Sequence, residues 1–372
     1  MIKQILIVDS SNAKHQFLAK ILGQLIKHDY WFWFWGRHNN LSQQFRYNNW
    51  PSKTSQGGWI IPQWLMWLQP ILWLNRLLKL WSYQQLHNIK TIVCLHWPEQ
   101  LLLTPLVHWL GWRCLWLQDP SFDYTEVNHW RQRYLRSAEQ ADLIICLASV
   151  SRQQALQFGL PEDKCRVILP GIELSDYLYQ DNIFNNLAAV SPAGHQRFTI
   201  GTVVDLQYEQ RVEMLLQALQ TCLSLDPDIQ LVLIGAEAER KKINWLVKKM
   251  RLDNKVWVIS DQASLKKWFN NFDVLVVASK RPQLEEIVTA IGAMANGIIV
   301  IGPEDAALTD LSFNNQAAWL IDMSTSEGLT SQLIALQQDP VQRKQLANNA
   351  KAVVQKYFLL ERLLKDLIAV LQ

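Results

Sequence analysis

Short apolar runs alternate with helix-patterned segments along most of this 372-residue chain, and this alternation limits the possible folds more than any other feature. In the first half the apolar runs lie at residues 3–9, 91–95, 113–117, 142–147 and 165–169. Short runs rich in Val, Ile and Leu are typical of strands buried on both faces of a parallel sheet. The helical periodicity between them predicts helices on both sides of that sheet.

A second series of the same kind begins at residue 197. Its apolar runs lie at residues 198–204, 230–234, 255–259, 273–277, 297–301 and 318–321. The sequence thus predicts an α/β fold with two Rossmann-like, doubly wound parallel-sheet domains. Ligands of such sheets bind beyond the strand carboxyl ends, which places them in a cleft between the two domains.

The domain boundaries follow from the same pattern. We expect an N-terminal domain at 1–175, a polar linker at 176–196 that contains Ser191-Pro192-Ala193-Gly194, and a C-terminal domain at 197–355. A C-terminal helix at 356–372 can return to the first domain. Within the first domain, residues 30–35 form a short aromatic run and the polar stretch 36–58 predicts a long loop.

Composition excludes several functional classes. The net charge of +3 is small for this length, and no zinc-finger or RNA-binding pattern is present, so a nucleic-acid partner is not expected. The five cysteines are scattered without CxxC spacing, which favours free thiols in a reducing cytosol. The first nine residues are typical of a strand rather than a signal peptide, so a cytoplasmic location is expected, either free or at the inner face of the membrane.

Tryptophan is concentrated in the first half, where 14 of the 18 tryptophans precede residue 131. Within residues 59–81 large apolar side chains recur at helical steps: Trp64, Trp67, Ile71, Leu74, Leu78 and Trp81. The segment is too short and too interrupted by proline to predict a transmembrane helix. Two interpretations stay open: a membrane-surface element in which Arg76, Lys79 and Lys90 meet anionic lipid, or a helix in the first domain's core.

Several phrases resemble, in order, those of family four of the glycosyltransferases, a large retaining family with the GT-B fold. They are Arg166-Val-Ile-Leu-Pro-Gly-Ile-Glu173, Ile200-Gly-Thr-Val-Val-Asp-Leu206, Phe272-Asp-Val-Leu-Val-Val-Ala-Ser279, Ala293-Met-Ala-Asn-Gly297 and Gln338-Asp-Pro340. In the first half, Leu95-His-Trp-Pro98 and Leu117-Gln-Asp-Pro120 stand where related enzymes carry an acceptor-side histidine and an H-D-P-like phrase. The resemblance covers about residues 90 to 360.

This resemblance implies transfer of a sugar from a nucleotide diphosphate to an acceptor hydroxyl, without a metal or other cofactor. It assigns the donor to Gly201, Asp205, Gln210, Arg211, Lys280 and Arg281. It assigns catalytic roles to His96, Asp119, Glu285 and Glu286, and acceptor-side roles to Trp97 and Gln118.

The chain departs from the family pattern at the most informative positions. Asp205 and Gln210 stand at the places of the family's arginine and lysine, with Arg211 adjacent. Leu284 and Gly292 stand at the places of its two glutamates, with Glu285 and Glu286 next to the first. Gln118 replaces a common histidine.

Each candidate also has a purely structural interpretation. Glu285 and Glu286 are typical of the acidic first turn of a helix, and Asp205 and Asp119 of turns. His96 is compatible with a core histidine, Lys280 and Arg281 with solvated loop charges, and Gly201 with a backbone requirement.

Two functions therefore remain. The first is a retaining glycosyltransferase that acts on a glycan or lipid-linked acceptor in cell-envelope polysaccharide or glycolipid synthesis. The second is a catalytically inactive GT-B-like protein that scaffolds or regulates a partner glycosyltransferase. A nicotinamide-dependent oxidoreductase is disfavoured because no GxGxxG follows a predicted strand.

Overall fold

The computed structural model describes residues 2–11, 15–55, 69–178, 197–204, 209–235, 237–259, 268–304 and 307–372. The chain divides into two compact units, which we call the first unit (Met1–Leu169 with Leu364–Gln372) and the second unit (Pro170–Leu363). Most of the predicted linker, residues 179–196, lies outside the described residues. The same is true of Asp205 and of residues 59–68 of the tryptophan-rich segment.

The first unit contains a seven-stranded parallel sheet. Its strands are β1 (Lys3–Asp9), β2 (Tyr30–Arg37), β3 (Ser52–Ser55), β4 (Thr91–Cys94), β5 (Arg113–Gln118), β6 (Leu143–Cys146) and β7 (Cys165–Val167). Their order is β3-β2-β1-β4-β5-β6-β7, so the strand order changes direction between β1 and β4. The helices are α1 (Gln16–Ile26), α2 (Asn40–Tyr47), α3 (Gln69–His87), α4 (Trp97–Trp109), α5 (Arg131–Gln140) and α6 (Ser149–Phe158).

The region after α1 differs from its sequence prediction. The aromatic run is part of strand β2, in which Phe32, Phe34 and Trp35 are buried while the other two tryptophans are half-buried. The long loop predicted at residues 36–58 was wrong, because α2 and β3 form there. Helix α2 begins with a reciprocal cap between Asn39 and Ser42, and it buries Phe45 completely. Scattered apolar residues in a polar stretch were enough to anchor a short helix.

The second unit contains a six-stranded parallel sheet. Its strands are β8 (Phe198–Val204), β9 (Ile229–Gly235), β10 (Val256–Ile259), β11 (Val274–Val276), β12 (Ile299–Pro303) and β13 (Ala318–Ile321). Their order is β10-β9-β8-β11-β12-β13, with the change of direction between β8 and β11. The helices are α7 (Glu209–Leu225), α8 (Glu237–Lys249), α9 (Leu284–Ala295), α10 (Thr309–Ser312), α11 (Ser326–Gln338), α12 (Pro340–Tyr357) and α13 (Leu360–Leu371).

The end of the chain crosses from one unit to the other. Ile172 pairs with Leu359 in an isolated parallel bridge, and a Cβ on Gly171 would overlap the Leu359 carbonyl. Glycine is therefore needed at this close backbone approach. Helix α13 begins in the second unit, and the residues from Leu364 onward group with the first unit.

Both sheets are nearly continuous apolar strands covered by helices, so the predicted α/β class with two parallel-sheet domains is confirmed. The five cysteines are all buried and free, as the sequence predicted.

Candidate functional site

Each sheet has one place where the strand order changes direction, and parallel sheets bind ligands there, beyond the strand carboxyl ends. In the first unit this place lies between β1 and β4, and in the second unit between β8 and β11. The loops that follow these strands carry most of the predicted site residues.

The loop between β11 and α9 brings four predicted donor-site charges together. Lys280 and Arg281 are exposed, and Glu285 and Glu286 follow in the first turn of α9. The N-terminus of a helix exposes backbone N–H groups and so favours anions. The positive charges of Lys280 and Arg281 add to this effect. Lys280 and Arg281 therefore favour a negatively charged ligand, against the opposing charge of Glu285 and Glu286 in the adjacent first turn of α9.

The two glutamates differ in their surroundings. Glu286 accepts a hydrogen bond from the Ser279 hydroxyl and another from the Gln283 backbone N–H at 2.8 Å, within the cap that begins α9. Glu285 is half-buried beside Tyr177: burial, together with the charge of Glu285, raises the pKa of Tyr177 to about 12. Glu286 thus has a structural role at the helix cap, and Glu285 is the better candidate to contact a ligand.

A tyrosine ring fills the place of the second family glutamate. Tyr177 lies against Gly292, where a Cβ would overlap its ring. The Tyr177 ring also stacks on Phe269 at a centroid distance of 6.4 Å, and its carbonyl accepts a hydrogen bond from Asn296 at 3.0 Å. The glycine at position 292 is therefore explained by packing.

Replacing Gly292 by alanine should destabilise the second unit by about 1–3 kcal/mol, because the Tyr177 ring has to move. Thermal or urea unfolding measures this change. Gly23→Ala is the matched control: a Cβ on Gly23, inside α1, would meet only Trp50 at 3.7 Å, so stability should not fall. Equal stability of Gly292→Ala and the wild-type protein would contradict the packing.

Gly201 has a similar explanation. It lies within β8, and a Cβ there would overlap the ring of Phe272, which is buried. Its neighbour Thr202 donates a hydrogen bond to the Val276 carbonyl at 2.7 Å. Packing alone accounts for this glycine, so its predicted contact with the donor stays a prediction.

The remaining predicted donor residues follow β8. Arg211, in the first turn of α7, donates a hydrogen bond to the Met323 carbonyl at 2.7 Å, so it holds α7 to the segment after β13. The structure does not describe Asp205 or the side chain of Gln210, and their donor-binding roles stay predictions.

At the corresponding place in the first unit, Asp9 is the centre of a buried polar cluster. His15 Nε2 lies 3.2 Å from an Asp9 carboxylate oxygen, and Asn39 donates a hydrogen bond to the same oxygen at 2.6 Å. The Ser11 backbone N–H donates to the other oxygen at 2.9 Å. Burial alone would raise the pKa of Asp9, but hydrogen bonding and the charge of His15, with help from Ser11, bring that pKa below its usual value.

His96 lies next to this cluster as the residue that precedes α4. Its Nδ1 is 3.3 Å from the Ser10 hydroxyl and 3.9 Å from a carboxylate oxygen of Glu99. Burial lowers the pKa of His96, the charge of Asp9 opposes this, and His15 adds to it. Glu99 is fully buried; burial and the charge of Asp9 raise its pKa well above the usual value, against a smaller lowering by Ser10. The same surroundings thus shift the two carboxyl groups in opposite directions, with the pKa of Asp9 lowered and that of Glu99 raised.

The acceptor-side residues after β5 take part in local structure. Gln118 is only 2% exposed and donates hydrogen bonds to Tyr134 Oη at 2.9 Å and to Gln100 Oε1 at 3.3 Å. Asp119 accepts hydrogen bonds from the Ser121 N–H and hydroxyl, at 2.8 and 2.6 Å, which is typical of a turn. The burial of Gln118 favours a structural role.

Trp97 follows His96 and is half-buried. Its indole N–H donates a hydrogen bond to Glu126 at 3.1 Å. Trp97 therefore stays at the edge of the polar cluster as a candidate acceptor contact.

Sequence reasoning missed Asp9, His15 and Glu99. The signal for Asp9 was present, because it ends the first apolar strand next to the change in strand order. Glu99 follows His96 by three residues at a helix start, a spacing that brings side chains together. Only the fold brings His15 back onto Asp9.

Two further properties bear on chemistry. Among the described residues, no group of three or more His, Cys, Asp or Glu side chains is arranged to hold a metal ion. In the same part of the chain, no helix combines the length and apolar character needed to cross a membrane.

Comparison with known proteins decides the family of the second unit. Residues 184–353 match the family described as glycosyl transferases group 1. These residues form a group 1 glycosyltransferase domain. The domain contains the β11–α9 loop, so Lys280, Arg281 and the two glutamates lie within the matched region.

Solved structures resemble the whole chain. HepE (Alr3699) from Anabaena in complex with UDP has a TM-score of 0.80 at 16% identity, covering 99% of each chain. Sucrose-phosphate synthase from Thermosynechococcus elongatus has a TM-score of 0.76 at 17% identity, covering 99% of this chain and 98% of that one. A glycosyltransferase from Rickettsia africae gives 0.73 at 14% identity, with 99% and 97% covered. These likenesses establish the GT-B fold. None of the curated proteins matches the sequence.

Proposed function

We propose that the chain is a retaining glycosyltransferase that moves a sugar from a UDP-sugar to a glycan or lipid-linked acceptor. The observation that supports this proposal most directly is the β11–α9 loop of the group 1 domain, where the exposed Lys280 and Arg281 precede the start of a helix. HepE, which shares the fold, has been crystallised with UDP and glucose and with UDP-glucose, which supports the choice of donor.

The reaction defines what the site has to do. The bond between the anomeric carbon and the diphosphate oxygen breaks, and its electron pair leaves with the nucleoside diphosphate. A bond from that carbon to the acceptor oxygen forms, and the acceptor hydroxyl loses its proton. Lys280, Arg281 and the N-terminus of α9 would stabilise the negative charge on the leaving group. Glu285 would hold sugar hydroxyls, and His96 would face the acceptor.

A transfer assay tests this function. Purified protein is incubated with UDP-, GDP- and ADP-sugars and with membrane-lipid and glycan acceptors, and proton NMR follows the anomeric configuration of the product. We expect consumption of a UDP-sugar with retention of configuration. Absence of transfer with every donor, together with absence of nucleotide binding, would favour the scaffold function instead.

We also propose that the enzyme works at the inner face of the cytoplasmic membrane, in cell-envelope polysaccharide or glycolipid synthesis. Helix α3 presents apolar side chains to solvent: Trp73 is 43% exposed, Trp81 53%, Leu74 52% and Leu78 54%. Exposed tryptophan and leucine on one helix face suit the interface of a bilayer. Arg76, one of the cations expected to meet lipid, is instead buried, so Lys79 and Lys90 are the remaining candidates.

Replacing both Trp73 and Trp81 by alanine should reduce binding to phosphatidylglycerol vesicles by about tenfold or more, because two interfacial aromatic side chains are lost. Vesicle co-sedimentation measures the binding. Trp245→Ala is the control, since Trp245 is 57% exposed on α8 of the second unit. Equal binding by the double variant and the control would exclude α3 as the membrane contact.

A further inference from the structure

We propose that Glu99 is a positioning residue that presents a proton, through Ser10, to Nδ1 of His96, so that the ring offers its Nε2–H to an oxygen of the acceptor. The inference rests on the proposed function for the identity of the ligand. Its structural part, the protonation of the Glu99–Ser10–His96 chain, is independent of substrate.

The first step is the state of Glu99. Its carboxyl group is completely buried, neither oxygen makes a hydrogen bond of ordinary geometry with a described residue, and only interactions with Ser10 and with the Glu99 N–H favour its charged form. A buried carboxylate needs a cation or several donors, and without them the neutral acid is favoured. The charge of Asp9 acts in the same direction, because it also raises the pKa of Glu99.

The second step is the path to the histidine. The Ser10 hydroxyl lies 3.3 Å from His96 Nδ1, while the direct distance from Glu99 Oε2 to Nδ1 is 3.9 Å. In the proposed chain a neutral Glu99 would satisfy its unpartnered carboxyl group by donating its proton to the Ser10 oxygen, and the serine hydroxyl would then donate to Nδ1. Nδ1 is therefore an acceptor, and the single proton of the neutral ring is on Nε2.

The third step is access. The His96 side chain is 32% exposed, and Nδ1 faces Ser10 and Glu99. No described residue makes a hydrogen bond to Nε2. This nitrogen lies at the carboxyl edge of the sheet, at the place between β1 and β4 where a ligand is expected. An Nε2–H group donates a hydrogen bond to an oxygen that has lone pairs. The ligand class expected here is therefore an oxygen of the sugar-accepting substrate.

Among the described residues, the other titratable groups that act on Glu99 or His96 are Asp9 after β1, His15 before α1 and Cys94 in β4. His15 is paired with Asp9 and so partly neutralises it. As pH rises through the folded-state pKa of Glu99, the acid ionises, Nδ1 becomes a donor and the Nε2–H is lost. Acceptor use should therefore fall at high pH.

Nitrogen NMR of ¹⁵N-histidine-labelled protein without substrate tests the proton chain directly, with the His96 signals assigned from their loss in His96→Gln. We expect the Nε2–H form of His96 in the wild-type protein. Glu99→Gln should keep it, because the amide still donates, while Glu99→Leu and Ser10→Ala should give a mixture of both ring forms. An Nδ1–H form in the wild-type protein that changes in Glu99→Gln would overturn the proposal, because it would require an ionised Glu99.

Kinetics test the functional part. Glu99→Leu should lower kcat/KM for the acceptor about three- to tenfold, the effect of one neutral hydrogen bond, with an unchanged KM for the donor. Glu99→Gln should keep that value and lose the decline at high pH. Equal losses in Glu99→Gln and Glu99→Leu would contradict a proton-presenting role. UDP binding, measured separately on the wild-type protein, shows whether the proposed glycosyltransferase function itself fails.

Discussion

Replacing both Lys280 and Arg281 by alanine should weaken UDP-sugar binding by about 100-fold. The two side chains are exposed in the loop that leads into α9, so they can reach a diphosphate without a change in the core. Hydrogen bonds to charged groups contribute about 1.5–3 kcal/mol each, and solvent screening reduces this at an exposed site. Isothermal titration calorimetry measures the affinity, and the loss should be smaller at high salt.

The matched control is Lys248→Ala combined with Lys249→Ala. These lysines are also exposed and carry the same charge, but they lie at the end of α8 that leads toward the start of β10. The control should bind the donor like the wild-type protein. Equal affinity of both double variants would show that the β11–α9 loop does not hold the diphosphate.

The second large effect separates the two adjacent glutamates. Glu285→Gln should lower kcat by about 10²–10³-fold, the usual cost of removing one group that stabilises a transition state, and leave the melting temperature unchanged. Glu286→Ala should lower the stability of the second unit by about 1–2 kcal/mol, because the cap with Ser279 and Gln283 is lost.

A second measurement tests the assignment of Glu285 independently of activity. Since the charge of Glu285 contributes to the raised pKa of Tyr177, Glu285→Gln should also lower that pKa, which ultraviolet titration of tyrosine measures. If Glu286→Ala were fully stable and inactive while Glu285→Gln kept normal activity, the two roles would have to be exchanged.

The sequence predicted those parts of the fold that depend on repeated apolar runs. The runs at residues 91–95 and 273–277, for example, form β4 and β11 in their sheets. It failed where tertiary contacts overrule composition: Phe45 and the Asn39 cap make a helix within a polar stretch that composition alone assigns to a loop.

The site was predicted less completely than the fold, for a physical reason. Sequence spacing placed Glu285 and Glu286 at the start of a helix, but only the structure shows that Glu286 is bound to Ser279 and Gln283. Likewise, the sequence shows that Gly292 stands where the family has a glutamate. It does not show that the Tyr177 ring, which is distant in sequence, fills the space of that glutamate side chain. Partners brought together by folding leave no local pattern in the chain.

Calorimetric titration of the wild-type protein with UDP, UMP and uridine tests the central claim most directly. We expect UDP to bind with a Kd in the range of about 1 μM to 1 mM that is usual for enzyme substrates. UMP should bind about tenfold or more weakly, because it lacks the second phosphate that Lys280 and Arg281 are proposed to bind, and uridine should bind least. Equal affinity for UDP and uridine, or binding of none of the three, would contradict a UDP-sugar site at the β11–α9 loop.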